Sequence, residues 1–239
     1  MIDTPPLTSA KDIAQTIDIS AVKANSADDS VRELVQCGKR FNCYLVTILP
    51  SQTALAKSLL QGSSSPKLGG NVGFPSGGQT THIKVQETLE LIKCGVDEID
   101  MVIDIAAHLS GRYANVYNEV NEVVQASQGR PVKVILECSY LSNKQILEGC
   151  DIAIKAGAAY VKTGTGWAPS GATLENVELI KNHVGNQIKI KASGGIRNIE
   201  TLLEMYRRGA TRFGISVNSA TRILVSASTM NLQYPILFN

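Results

Sequence analysis

The sequence predicts an α/β fold of the (β/α)8 barrel type, a single domain spanning residues 1–239, on three observations. Short apolar or β-branched runs recur along the chain, helical patterns fill the intervals, and the length suits one large core. The strand-like runs are 43–48, 70–74, 98–104, 132–137, 159–163, 188–192 and 211–216. Their starts lie 23 to 34 residues apart, room for one crossover helix each time, which is the rhythm of a parallel sheet built from βαβ units. Segments 84–94, 144–156 and 198–208 carry apolar residues at helical spacing, and Gly95, Gly157 and Gly209 follow them as C-terminal caps. Residues 16–20, followed by a helix over 28–37, supply an eighth strand, and eight strands close a barrel. The competing architecture is an open doubly wound sheet; no G-x-G-x-x-G follows the first strand to support it.

Hydrophobic residues make up 44% of the chain and charged residues 18%, the balance of a soluble globular protein. A net charge of +2 gives no strongly basic face for nucleic acid, whereas a small anionic substrate needs only a local positive site. Residues 1–11 lack the basic start and apolar stretch of a signal peptide, and no run of about 18 apolar residues exists to span a bilayer. Cys37, Cys43, Cys94, Cys138 and Cys150 are odd in number, scattered and free of any C-x-x-C pair, which argues against a disulfide framework or structural zinc and for a cytoplasmic location. His82, His108 and His183 are too dispersed for a metal set, and no metal or cofactor is expected.

Barrel chemistry sits at the C-terminal ends of the strands, so charge inside an apolar run near such an end stands out. Lys162, Lys191, Asp100 and Asp104 do so. Alternation sends Lys189 and Lys191 to one face and Ile190 to the other. A lone lysine there reads as a charge snorkelling from the rim. Two lysines converging on one mouth disfavour each other's ammonium form, so that one can attack a carbonyl as the neutral amine. Asp100 reads either as a structural ion-pair partner or as a proton relay. Gly164 and Gly166 follow Lys162, and Gly194 and Gly195 follow Lys191 with Arg197 just beyond. Each glycine alone is a turn residue, but together at a helix start their exposed amides suit a phosphate, with Gly214 and Ser216 at the end of the last strand beside them.

The blocks VGFPSGGQTTHIKVQET (72–88), DEIDMVIDIAAHLSG (97–111), VKVILECSYLS (132–142), AGAAYVKTGTGWAPSGAT (156–173) and KASGGIRN (191–198) resemble the deoxyribose-phosphate aldolases in order and interval. The resemblance implies that Lys162 forms the Schiff base, that Lys191 perturbs it and moves protons, and that Asp100 is the acid/base partner. It places Asp18, Thr165, Gly166, Gly194, Gly195, Gly214 and Ser216 against the substrate and its phosphate. The implied reaction is reversible cleavage of 2-deoxy-D-ribose 5-phosphate to acetaldehyde and D-glyceraldehyde 3-phosphate, in a homo-oligomer of two or more subunits. Thr47 stands where the family often has a cysteine, Asp104 where asparagine is common, and Ile215-Ser216-Val217 where two adjacent serines are usual; Trp167 adds bulk beside Gly166. These departures leave the imine chemistry intact and bear on the substrate. A class I aldolase for another aldehyde or sugar phosphate, and a non-catalytic sugar-phosphate-binding barrel, are the alternative readings.

Overall fold

In a computed structural model of the chain, residues 6–229 are described, and their eight parallel strands close into a barrel in sequence order. Helix α1 (Ala10–Ala14) precedes β1 (Ile17–Ala21), α2 (Asp28–Phe41) crosses to β2 (Leu45–Ile48), and α3 (Thr53–Leu59) crosses to β3 (Lys67–Val72). Next come α4 (Thr81–Lys93), β4 (Glu98–Val102), the short α5 (Ile105–Leu109), α6 (Tyr113–Ala126) and β5 (Val132–Ile135). The circuit ends with α7 (Asn143–Lys155), β6 (Tyr160–Lys162), α8 (Leu174–Val184), β7 (Lys189–Ser193), α9 (Ile199–Arg207), β8 (Ala210–Ser216) and α10 (Val217–Thr229). Ile17 pairs with Phe213 and Asp18 with Gly214, so β1 is the closing strand and the open sheet is excluded.

Each crossover has a local cause. Ser142 caps α7 in a reciprocal capping box with Gln145, and Thr173 and Asn198 cap α8 and α9 through their side-chain oxygens. Gly95, Gly157 and Gly209 have φ of 80°, 78° and 117°, the left-handed backbone expected of residues that stop a helix. Two expected strands shift. The third starts at Lys67, pairing with Leu45, and stops at Val72 because Gly73 turns the backbone to φ 64°. The fourth stops at Val102, because Asp104 instead caps α5 by accepting from the Ala107 amide at 2.8 Å.

Alternation along the strands separates two environments. Ile17, Ile19, Val46, Ile48, Val134, Val161, Ile190 and Phe213 face outward and, fully or almost fully buried, pack into the apolar shell beneath the helices. The inward residues are largely polar: Asp18, Thr47, Asn71, Glu98, Asp100, Lys133, Lys162, Lys191 and Arg212 are all buried. Among the described residues no helix is long and apolar enough to cross a membrane. The apolar segment 234–239 lies outside the described residues.

Candidate active site

The inward side chains of β1, β4, β5, β6, β7 and β8 meet in one ionic network. Asp100 is its hub. One oxygen, Oδ2, lies 2.7 Å from Lys162 Nζ and 2.8 Å from Lys191 Nζ, while Oδ1 lies 2.7 Å from Lys133 Nζ. Lys191 also reaches Asp18 at 2.5 Å, and Lys133 reaches Glu98 at 2.8 Å. Towards the N-terminal end of the barrel, Arg212 holds Asp18 at 3.0 Å, donates to the Tyr160 hydroxyl at 3.1 Å and lies 3.5 Å over the Tyr44 ring. Lys189 shares the face of Lys191 but sits exposed beside the Tyr160 ring.

The network holds four cations, Lys133, Lys162, Lys191 and Arg212, against three carboxylates, Asp18, Glu98 and Asp100. One proton leaving Lys162 balances it. Burial pushes Lys162 down to about 8; Asp100 opposes the fall, and the positive charges of Lys191 and Lys133 add to it. Burial, rather than the second lysine expected from the sequence, is thus the larger cause. Burial drives the Asp100 carboxyl upward, but Lys133, Lys162 and Lys191 together outweigh it and hold Asp100 well below the usual carboxylate range. Lys133 is the mirror case: burial lowers it, and Asp100, Asp18 and Glu98 raise it above the ordinary lysine range. Lys133 and Lys162 are therefore shifted in opposite directions, and Lys162 is poised to lose its proton near neutrality.

Beyond the strand ends lies a cavity of about 430 Å³, lined by Thr165, Gly166, Gly194, Gly195, Arg197, Gly214 and Ser216, with Lys23 on its rim. Gly166, Gly194 and Gly195 have φ of 79°, 92° and 77°, so the two loops turn as only glycine does readily. They also touch: a Cβ on Gly171 would lie 2.2 Å from the Gly194 carbonyl oxygen, and the Ala172 amide donates to that oxygen at 3.0 Å. The N-terminal residues of α10, Val217 to Ser219, join the cavity wall, and Ser219 stands 3.3 Å from the Ser216 hydroxyl. A hydroxyl is thus available beside Ser216 although Val217 supplies none. Amides, glycine turns and cations on a concave wall form an anion cradle.

Asp18, Lys162, Lys191 and Thr165 also line a narrower cavity below this mouth, together with Thr47, Asn71 and Phe74. Of the residues singled out from sequence, Thr165 is engaged elsewhere: its amide and hydroxyl both bond the buried carboxylate of Glu137. Asp104, taken as a charge near the mouth, lines neither cavity and instead joins α5 to Glu119 through its own amide at 2.8 Å. His82 is exposed, His183 pairs with Asp151 at 2.7 Å on the surface, and His108 is buried against the Gln145 carbonyl. Sequence reasoning missed Lys133, Glu98, Arg212 and Lys23. The first three carried a usable signal, since each is a charge within an apolar strand run, and Glu98 also shares the face of Asp100 on β4. Lys23 carried none: its ammonium reaches the Gly166 carbonyl, 143 residues away in sequence, at 3.0 Å and the neighbouring Trp167 ring at 5.2 Å.

Residues 9–217 match the DeoC/LacD family of aldolases. The chain is 42% identical over 226 residues to a deoxyribose-phosphate aldolase of Klebsiella pneumoniae, covering 94% of this chain and 91% of that one. A deoxyribose-phosphate aldolase of Sinorhizobium medicae is 42% identical over 221 residues, covering 92% and 89%. Among solved structures, a tetrameric deoxyribose phosphate aldolase from Aeropyrum pernix superposes with a TM-score of 0.86 at 29% identity, covering 94% of each chain. With the match spanning most of the barrel and the relatives aligned over nearly their whole length, the chain belongs to the DeoC/LacD family of aldolases.

Proposed function

We propose that the chain is a class I aldolase that cleaves 2-deoxy-D-ribose 5-phosphate reversibly to acetaldehyde and D-glyceraldehyde 3-phosphate, with Lys162 as the Schiff-base residue. The observation that carries this reading is the shared oxygen: Lys162 and Lys191 both bond Asp100 Oδ2, at the foot of a mouth that ends in an anion cradle. With the phosphate held by the Gly166, Gly194 and Gly195 turns, the sugar's carbonyl end reaches down to Lys162. Neutral Lys162 adds to C1, and loss of water leaves an iminium. The C2–C3 bond then breaks, its electron pair flows into the iminium, and the C3 hydroxyl proton leaves as the new aldehyde forms. Asp100 and Lys191, each within hydrogen-bond reach of Lys162 or of its partner, relay the protons that form the imine, protonate the enamine and release acetaldehyde by hydrolysis. The protonated imine is the electron sink, so this chemistry calls for no metal or cofactor.

The whole chain acts as one domain in this reading, soluble in the cytoplasm, on a small phosphorylated sugar, and as a homo-oligomer; the tetrameric relative supports the last point. The test is borohydride trapping with acetaldehyde followed by peptide mapping. Mass added to the Lys162 peptide with loss of activity is the expected result, and label on Lys191, or none, would remove Lys162 from its role. Absence of trapping would favour a sugar-phosphate-binding barrel without aldol chemistry.

A further inference from the structure

Two buried polar atoms of residues that line the Lys162 cavity have no hydrogen-bond partner in the protein. Thr47, on β2, and Asn71, on β3, are 3% and 0% exposed, and both line the narrow cavity that contains Lys162. The Asn71 Nδ2 donates to the Ile48 carbonyl at 2.6 Å, which fixes the amide so that Oδ1 is the free end. Neither Asn71 Oδ1 nor Thr47 Oγ1 makes a hydrogen bond. Beneath Thr47, a Cβ on Gly69 would lie 2.6 Å from Leu45 Cδ2 and 3.0 Å from Thr47 Oγ1, so no side chain from β3 reaches Thr47 at that level. This cavity, about 20 Å³, has the capacity of about one water-sized sphere, enough for a single hydroxyl.

We propose that Thr47 and Asn71 form a subsite for a hydroxyl on the substrate carbon next to the imine, so that the enzyme also takes aldopentose 5-phosphates that carry a C2 hydroxyl. The proposal rests on the Schiff-base reading of Lys162. The anion cradle lies over β1, β6, β7 and β8, whereas the two side chains stand on β2, which pairs with β1 and lies opposite the Lys162 strand β6, and on β3, opposite the Lys191 strand β7. A substrate stretched from the cradle to Lys162 therefore turns C1 and C2 towards them. One hydroxyl answers both: it donates to Asn71 Oδ1, which can only accept, and accepts from the Thr47 hydroxyl. A methylene in that place leaves both groups buried and unpaired, which is unfavourable.

The balanced step follows the deoxy reaction. The sugar aldehyde and Lys162 lose water to give the iminium, the C2–C3 bond breaks with its electrons moving into the iminium, and the C3 hydroxyl gives up its proton as glyceraldehyde 3-phosphate departs. The remaining hydroxylated enamine is protonated at C2 and hydrolysed to glycolaldehyde. Reversal joins glycolaldehyde to glyceraldehyde 3-phosphate without any oxidant or reductant.

The experiment compares kcat/KM for 2-deoxyribose 5-phosphate, ribose 5-phosphate and arabinose 5-phosphate, the last two differing only at C2, in the wild type, Thr47→Val, Asn71→Leu and Thr47→Ser. Glycolaldehyde release from at least one C2-hydroxylated sugar is expected, as is a hydroxyethyl group on Lys162 after trapping with glycolaldehyde and borohydride. Thr47→Val and Asn71→Leu should each lower the ratio of hydroxylated to deoxy turnover about tenfold, the loss of one hydrogen bond at a buried site, and Thr47→Ser should keep it. A wild type that cleaves the deoxy sugar and neither hydroxylated one overturns the subsite even if the valine and leucine variants fail to fold. Equal losses on both kinds of sugar also overturn it, since they mean that the two atoms hold a water or support packing. Failure of the aldolase reading shows differently, as no trapping with any aldehyde and no turnover of any sugar.

Discussion

Lys162 has its ammonium form destabilised chiefly by burial, and its value of about 8 sets the pH at which the proposed nucleophile is expected to appear. The neutral amine is the reactive form, so kcat/KM should rise with pH up to about 8 and level off above it. Lys191→Met removes a positive neighbour and leaves Asp100 Oδ2 to Lys162 alone. Both changes favour the ammonium, so the acidic limb should move to higher pH while turnover falls; a limb that stays in place would show that Lys191 does not tune Lys162. At the rim, Lys23 is the exposed cation nearest the Gly166 turn. Lys23→Met should raise KM for the phosphorylated sugar about tenfold, consistent with the loss of a hydrogen bond to a charged group in partly solvated surroundings. An equal rise for unphosphorylated deoxyribose would remove Lys23 from the phosphate site.

The loops after β6 and β7 act as one unit, because Gly171 and Gly194 approach too closely for any side chain at either position. Gly171→Ala must push these loops apart and spread the glycine turns proposed to hold the phosphate. The expected result is a higher KM for the phosphorylated substrate with borohydride trapping at Lys162 retained; wild-type KM would show that the loops adjust independently. Most elements were readable at this scale, since period-two runs, glycine caps and the charged residues of β4, β6 and β7 are local features. The ends of β3 and β4 were not. Gly73 and Asp104 stop these strands through backbone conformation and capping, which an apolar run such as 98–104 conceals.

Across the whole molecule, buried charge occurs both inside the barrel and between the helices. Lys84 on α4 bonds Glu119 on α6 at 2.7 Å and the Val102 carbonyl at 2.9 Å, and Glu119 accepts from the Asp104 amide. This pair ties two helices to the end of the strand that carries Asp100. Burial pulls Lys84 down and pushes Glu119 up despite their mutual attraction, so each buried charge depends on the other for compensation. Lys84→Met should cost about 3–5 kcal/mol in denaturant unfolding by stranding Glu119, and Lys84→Met with Glu119→Leu should recover most of it. A single variant within about 0.5 kcal/mol of wild type, the scatter of ordinary surface changes, would refute the coupling.

The sequence by itself determined the βαβ rhythm, the polar strand ends and the five blocks that mark an aldolase, because each of these is written in neighbouring residues. It also placed Lys162, Lys191 and Asp100 as the charges to question. Only the tertiary structure decided how they differ. Closure of β8 on β1 brings Asp18 to Lys191 and Arg212, and the barrel interior brings Lys133 to Asp100, so the charge balance that singles out Lys162 is set by residues up to 194 apart in the chain. The same closure leaves Thr47 Oγ1 and Asn71 Oδ1 unbonded in the cavity that Lys162 lines. Local pattern encodes which face a side chain takes, while its pKa and its unmet hydrogen bonds depend on what the other strands place opposite it.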